Sequence, residues 1–116
     1  MPLTHISQAV KTTLPSMGVA DTQAFLDDIV VSEDEEKCIV SGFFRIEKSK
    51  PLEYEYNYHE MKIIVEGEML ITDETGKQVH AQVGDVFYFP KGSRITFDTP
   101  TYGIGFFCGQ RNQGEA

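Results

Sequence analysis

Only two cysteines and three histidines occur in the 116 residues, and no apolar run approaches the roughly 20 residues a membrane-spanning helix needs. Two thiols are too few for a disulfide framework. Each sits among apolar neighbours, in Cys38-Ile39-Val40 and Phe106-Phe107-Cys108, where a free cysteine behaves as a small hydrophobe. The N-terminus lacks the basic start and apolar block of a signal peptide. These absences set the expectation of a reducing, cytoplasmic setting. Positive charge is also scarce: Lys and Arg number 10 against 18 Asp and Glu, a net charge of −8. That balance argues against nucleic acid or an anionic membrane surface as partner, because both are polyanions. No glycine-rich phosphate loop, nucleophile elbow or zinc-type cysteine spacing is present.

What remains is an ordinary single-domain composition, 41% apolar and 24% charged. The acidic run Glu33 to Glu36 reads as a solvated turn. Thr4 to Leu14 has a weak helical spacing (Ile6, Ala9, Val10, Leu14) that Pro15 stops, so a short helix and an extended arm fit equally. From Phe25 onward short apolar runs alternate with turn chemistry. Strands are expected near 25–31, 37–47, 52–58, 61–72, 77–82, 86–90, 94–98 and 102–109. Such spacing, without a long helix, indicates an all-β antiparallel sandwich or barrel. The chain therefore divides into an arm or helix at 1–24, a barrel at 25–111 and a fraying tail at 112–116.

One stretch is richer in information. From 52 to 58 the even positions read Leu52, Tyr54, Tyr56, Tyr58 and the odd ones Glu53, Glu55, Asn57, so the even face points inward. From 61 the apolar set moves to odd positions, Met61, Ile63 and Val65. That change of phase predicts a bulge near His59-Glu60, with Met61 and Ile63 inward. Bulges are over-represented beside active sites, which draws attention to Glu60.

Two segments then resemble the motifs of the cupin superfamily. Glu60 and Gly67, in HEMKIIVEGE, hold the last two places of its first motif; Gly84, Pro90 and Gly92, in GDVFYFPKGSRI, match the opening glycine and the Pro-x-Gly of its second. The stretch 42–100, with SGFFRIEKS, YNYHE, VEGEM and GDVFYFPKGSRITFDTP, is similar to the ethanolamine-utilisation EutQ-like branch. The resemblance implies a single-domain cupin jelly-roll β-barrel with a cavity near Glu60 and a short N-terminal arm or helix. It also implies a lost metal site, since the histidine places hold Tyr54, Tyr56 and Ile95, or Glu53 and Glu55 if the spacing is one longer. With only Glu60 kept, no metal and no cofactor are expected. Cupins of this length commonly pair, which implies a homodimer with the arm exchanged or packed across the interface.

Two functions follow. The first is a metal-independent acid–base enzyme (isomerase, epimerase, dehydratase or cyclase type) acting on a small organic molecule. Glu60 would be the acid or base, its pKa raised by burial, with Lys62, His59, Tyr54 and Tyr56 as catalytic partners. Tyr58, Ile95, Phe97 and Phe44 would line the substrate. The second is a non-catalytic ligand-binding or accessory module of a catabolic pathway. An acetate-kinase-like activity is implied only by the resemblance. Blander readings accompany each residue: Glu60 as a structural partner of Lys62, Lys62 as a solvated lysine, His59 exposed on the odd face. For the tyrosines the bland reading is partly plain core, with at least one reaching the cavity. His5 and His80 read as surface residues. A polar neighbour beside a buried Glu60 favours chemistry; a cavity filled by the tyrosines favours structure.

Overall fold

The computed structural model describes residues 2–116. Eight strands carry it: β1 (Ala24–Val31), β2 (Val40–Glu47), β3 (Leu52–Glu55), β4 (Glu60–Thr72), β5 (Gln78–Gln82), β6 (Val86–Phe89), β7 (Arg94–Asp98) and β8 (Tyr102–Gly109). The expected strands are all present. The main differences are a later start to β2 and an earlier end to β3. The only helical turn among the described residues is a 3-10 turn at Ala9–Lys11, and no helix is long and apolar enough to cross a membrane.

All strand pairs are antiparallel. The 13-residue β4 belongs to both walls. Its first half lies between β8 and β6, and its second half between β5 and β7. One wall thus runs β1-β2-β8-β4-β6, and the other β5-β4-β7-β3. Such a folded-over sheet is the jelly-roll solution for burying one apolar face without a helical layer. At the fold of β4 sits Gly67, at φ 66°, where a Cβ would run into the Tyr102 carbonyl.

The bulge lies elsewhere than the sequence pattern suggested. Burial alternates without a break through Leu52, Tyr56, Tyr58, Glu60, Lys62 and Ile64, all inward. The register shifts between Ile64 and Glu66, after which Met69 and Ile71 take the inward places. Met61 points outward and is 54% exposed, and Ile63 is only half-buried. Hydrophobic periodicity misled here for a physical reason. The inward places at 60 and 62 hold charges that satisfy each other, while the outer face of this strand is itself apolar. A paired charge in a core is invisible to a pattern that counts only apolar side chains.

The N-terminal segment crosses onto the barrel. Met17 N–H donates to the Ala24 carbonyl at 2.9 Å and Leu26 N–H to the Pro15 carbonyl at 3.0 Å, so residues 15–17 pair onto β1. Met17 is thereby laid against the core. At the other end Gly114 N–H donates to Asp28 Oδ2 at 2.7 Å, while the side chains of 112–116 are exposed.

Candidate functional site

The tyrosine stripe is placed by backbone contacts to the 90–93 turn. Tyr56 N–H donates to the Ser93 carbonyl at 2.9 Å, and Gly92 N–H to the Tyr56 carbonyl at 2.7 Å. Gly92 adopts φ 96°, a conformation that costs other residues. Beside this turn Tyr54 of β3 lies directly opposite Ile95 of β7. Glu53 and Glu55 face solvent. The inward positions are therefore Tyr54, Tyr56, Glu60 and Ile95, the set implied by the shorter motif spacing.

Glu60 and Lys62 meet inside. Glu60 is 2% and Lys62 4% exposed. Tyr56 donates its hydroxyl to Glu60 Oε2 at 2.5 Å, and Lys62 Nζ lies 3.4 Å from the same oxygen. The ammonium also sits over the rings of Phe44 (4.5 Å), Phe97 (4.6 Å) and Phe89 (5.7 Å), which supply cation–π attraction where water is absent. The solvated lysine expected at 62 is thus corrected to a fully buried one. What makes room is β8: a side chain at Gly105 would touch Lys62 Cδ at 2.9 Å, and one at Gly109 would press the Tyr58 ring at 3.2 Å. The inward glycines of β8 were the signal in the sequence for a bulky group opposite.

Burial pulls the Lys62 ammonium below its ordinary pKa, and the Glu60 charge opposes that shift. Burial raises all three tyrosines, Tyr56 well above its ordinary value, and the negative charge of Glu60 adds to this. Tyr54 and Tyr58 hydroxyls share a 2.9 Å hydrogen bond. Behind Tyr58 stands Arg111, a residue the sequence reading missed. Its guanidinium lies 5.2 Å from the Tyr58 ring centroid and grips Asp28 through Nη1 (2.9 Å) and Nη2 (2.7 Å). Nothing in the local sequence marks Arg111, because its partner is 83 residues away.

His59 is not brought to this site. It is exposed, its Nδ1 accepts from Lys91 N–H at 3.2 Å, and the Tyr88 hydroxyl lies 2.9 Å from the same nitrogen. His5 is exposed, and His80 is exposed against Glu68 at 2.7 Å. Tyr58, Phe97 and Phe44 belong to the closed core around the Glu60 compartment, and Ile95, buried in the same core, lines a separate groove beside β6 instead. The space left among Tyr54, Tyr56, Glu60, Lys62 and Met17 is about 10 Å³. The open cavity expected near Glu60 is absent because the tyrosine rings pack edge-to-face at 4.8 and 5.3 Å and Met17 lies across the rim.

A divalent ion, which the cupin architecture often carries, does not fit these residues. Phenols held above their usual pKa are poor ligands, Ile95 offers no donor atom, and the Lys62 ammonium already faces the one carboxylate. Among the described residues no group of three or more His, Cys, Asp or Glu is arranged to hold a metal.

This geometry can be set beside known proteins. The profile of the family described as "Ethanolamine utilisation protein EutQ" matches residues 6–108. The chain belongs to the EutQ family. It is similar to the Salmonella typhimurium protein named "Acetate kinase EutQ", at 35% identity over 72 residues, covering 62% of this chain. The chain's match spans only 31% of that relative's length. The Clostridium difficile EutQ structure superposes with a TM-score of 0.74 at 19% identity, over 89% of this EutQ-family chain and 77% of the other. An RmlC-like cupin from Shewanella frigidimarina superposes at 0.69 with 16% identity, over 97% and 96% of the two chains. The fold of this EutQ-family chain is thus the cupin jelly roll.

Proposed function

We propose that this chain is a non-catalytic binding module of ethanolamine catabolism, cytoplasmic and homodimeric, in which Glu60, Lys62 and Tyr56 form a buried polar clamp. One observation carries the reading: the space around the carboxylate is about 10 Å³, room for about one water and no substrate. General acid–base catalysis needs the reacting atom within hydrogen-bond reach of the acid. Here Tyr56 and Lys62 already hold Oε2 of that carboxylate. The name acetate kinase belongs to relatives of which this chain matches between 30% and 66% of the length, and no phosphate loop in its sequence supports phosphoryl transfer.

The acid–base enzyme remains the second reading, favoured by a donor, a carboxylate and an ammonium within 3.4 Å of one oxygen. It requires the 15–17 segment to lift off the rim. Reductive methylation of the native protein with formaldehyde and a borane, read by peptide mass spectrometry, separates the two. The binding-module reading expects Lys62 to stay unmodified while exposed lysines such as Lys11 and Lys37 react. Methylation of Lys62 at the pace of those surface amines would replace it with the enzyme reading.

A further inference from the structure

Phe89 walls off the Glu60 compartment on one side, and a much larger cavity begins on its other side. This groove, about 840 Å³, opens between β6 and the turns at 73–77 and 90–93. Its apolar lining includes Ile71, Val79, Phe87, Phe89 and Ile95. That volume lies within the range of small-molecule sites, which are concave and mostly apolar with a few polar groups at the edge.

The aromatic rings give the groove a direction. Tyr56 and Phe89 stack at 5.1 Å with planes 11° apart, and Phe89 and Phe87 at 5.9 Å with the same angle. A column of three near-parallel rings therefore starts at the phenol bonded to Glu60 and ends at the half-buried Phe87. Among the described residues Phe87 meets no ring except Phe89. Offset stacking suits a further flat ring at such spacings, whereas a saturated ring has no π-face to offer.

The rim has free cations. Lys77 and Lys91 line the groove and neither makes an ion pair within 4 Å among the described residues. Of the rim acids, Asp73 accepts hydrogen bonds from Thr75 and from Lys77 N–H, and Asp85 from Gln82 N–H, neutral donors that leave both carboxylate charges in place beside Glu74. The rim thus sets two lysines that make no ion pair within 4 Å among three carboxylates, so it is not net positive, and a ligand anion would be held by these two ammonium groups individually.

We infer that this groove binds a small planar aromatic carboxylate, its ring extending the Tyr56–Phe89–Phe87 column and its carboxylate held at the rim by Lys91 and Lys77. The inference deepens the binding-module reading by naming a ligand class and the place it occupies.

The test is a methyl and aromatic NMR titration of the full chain with three probes: indole-3-acetate, neutral indole and cyclohexylacetate. Indole-3-acetate should shift Phe87, Ile71 and Val79 with ring-current signs, and cyclohexylacetate should not. Phe87→Leu should weaken indole-3-acetate by about three- to tenfold, the usual worth of one stacked pair. Lys91→Gln should weaken it by about two- to fivefold, as expected for an exposed charge pair. Val79→Phe, which fills the groove without touching the column, should abolish the shifts if Phe87→Leu proves unfolded. Equal shifts from cyclohexylacetate, or unchanged binding by a folded Phe87→Leu, overturn the stacking site. Equal affinity for indole overturns the carboxylate. No shift with any probe at millimolar concentration removes the groove as a ligand site. In that case a Lys62 that stays unmethylated leaves the binding-module reading standing, whereas binding in the groove beside a methylated Lys62 leaves the site and removes that reading.

Discussion

Lys62 Nζ lies 3.4 Å from Glu60 Oε2, and each side chain is only 3% exposed. A pair this deep is costly to break from one side, because the survivor becomes an uncompensated buried charge. Glu60→Gln or Lys62→Met alone should each lower the stability by about 3–5 kcal/mol. The double variant Glu60→Gln/Lys62→Met should recover much of that loss, since an apolar replacement of a whole buried pair is often near neutral. Urea unfolding of the four proteins reads the cycle. Additive losses in the double variant would show that the two groups are not coupled.

The alkaline limb of stability follows from the same compartment. Burial raises Tyr54, Tyr56 and Tyr58 above the ordinary 10.0, so their contribution is complete below that pH and is lost as pH climbs above it. Lys62 acts in the opposite sense. Its folded pKa is below 10.5, so folding gains as pH rises from that lowered value towards 10.5. Melting temperature should therefore rise on approach to pH 10 and then fall, and Lys62→Met should remove the rise while keeping the fall. Tyrosinate absorbance from the buried Tyr56 and Tyr58 and the half-buried Tyr54 should appear together with loss of the β-sheet circular dichroism signal. Their ionisation ahead of unfolding would contradict the packing described.

The acid limb belongs to Asp28 and Arg111. Burial alone would raise the Asp28 carboxyl, but the hydrogen bonds from Arg111 and Gly114 and the Arg111 charge together hold it below its ordinary 3.8. A lowered folded pKa means stability that is present above 3.8 and lost as pH falls below it. Arg111→Met should cost about 3–5 kcal/mol near neutral pH, by leaving the Asp28 carboxylate buried without its partner. It should also flatten the acid transition. Denaturant midpoints measured from neutral pH down to about pH 2 check both effects.

Assembly can be tested on the outer face of β4 and β6. Met61 and Tyr88 stand opposite each other and are 54% and 51% exposed; Val86, opposite Ile63, is 70% exposed. β6 is paired on one side only and carries no lysine, proline or bulge to guard its edge. Tyr88→Glu together with Val86→Lys should shift a homodimer towards monomer in sedimentation without changing the melting of the monomer. A wild-type monomer at micromolar concentration would refute the pairing.

Metal content gives a direct reading of the former ligand places. Elemental analysis of the purified protein should find no stoichiometric iron, manganese, nickel or zinc. About one equivalent of any of them, lost in Glu60→Gln, would show that the phenols and Glu60 do ligate.

Short-range chemistry in the chain was enough for the architecture. Turn residues such as Gly84, Pro90 and Gly92 and period-two burial from Leu52 to Tyr58 act within a few residues, so eight strands of an antiparallel sandwich or barrel could be read from them, and the resemblance of two motifs to the cupins narrowed that to a jelly roll. The inward direction of Tyr54, Tyr56 and Tyr58 came from the same alternation, whereas the bulge expected at His59-Glu60 left that of Glu60 to the structure. Three things depended on residues far apart. Lys62 is inward because Gly105 on β8 leaves space and three rings surround its ammonium, so the bulge falls after Ile64 rather than at His59. Arg111 and Asp28 meet across 83 residues. The cavity near Glu60 is closed because Met17, from before the first strand, lies against rings from β3 and the segment that follows it. Periodicity says which face a side chain takes; only the packed structure decides how much space remains in front of it.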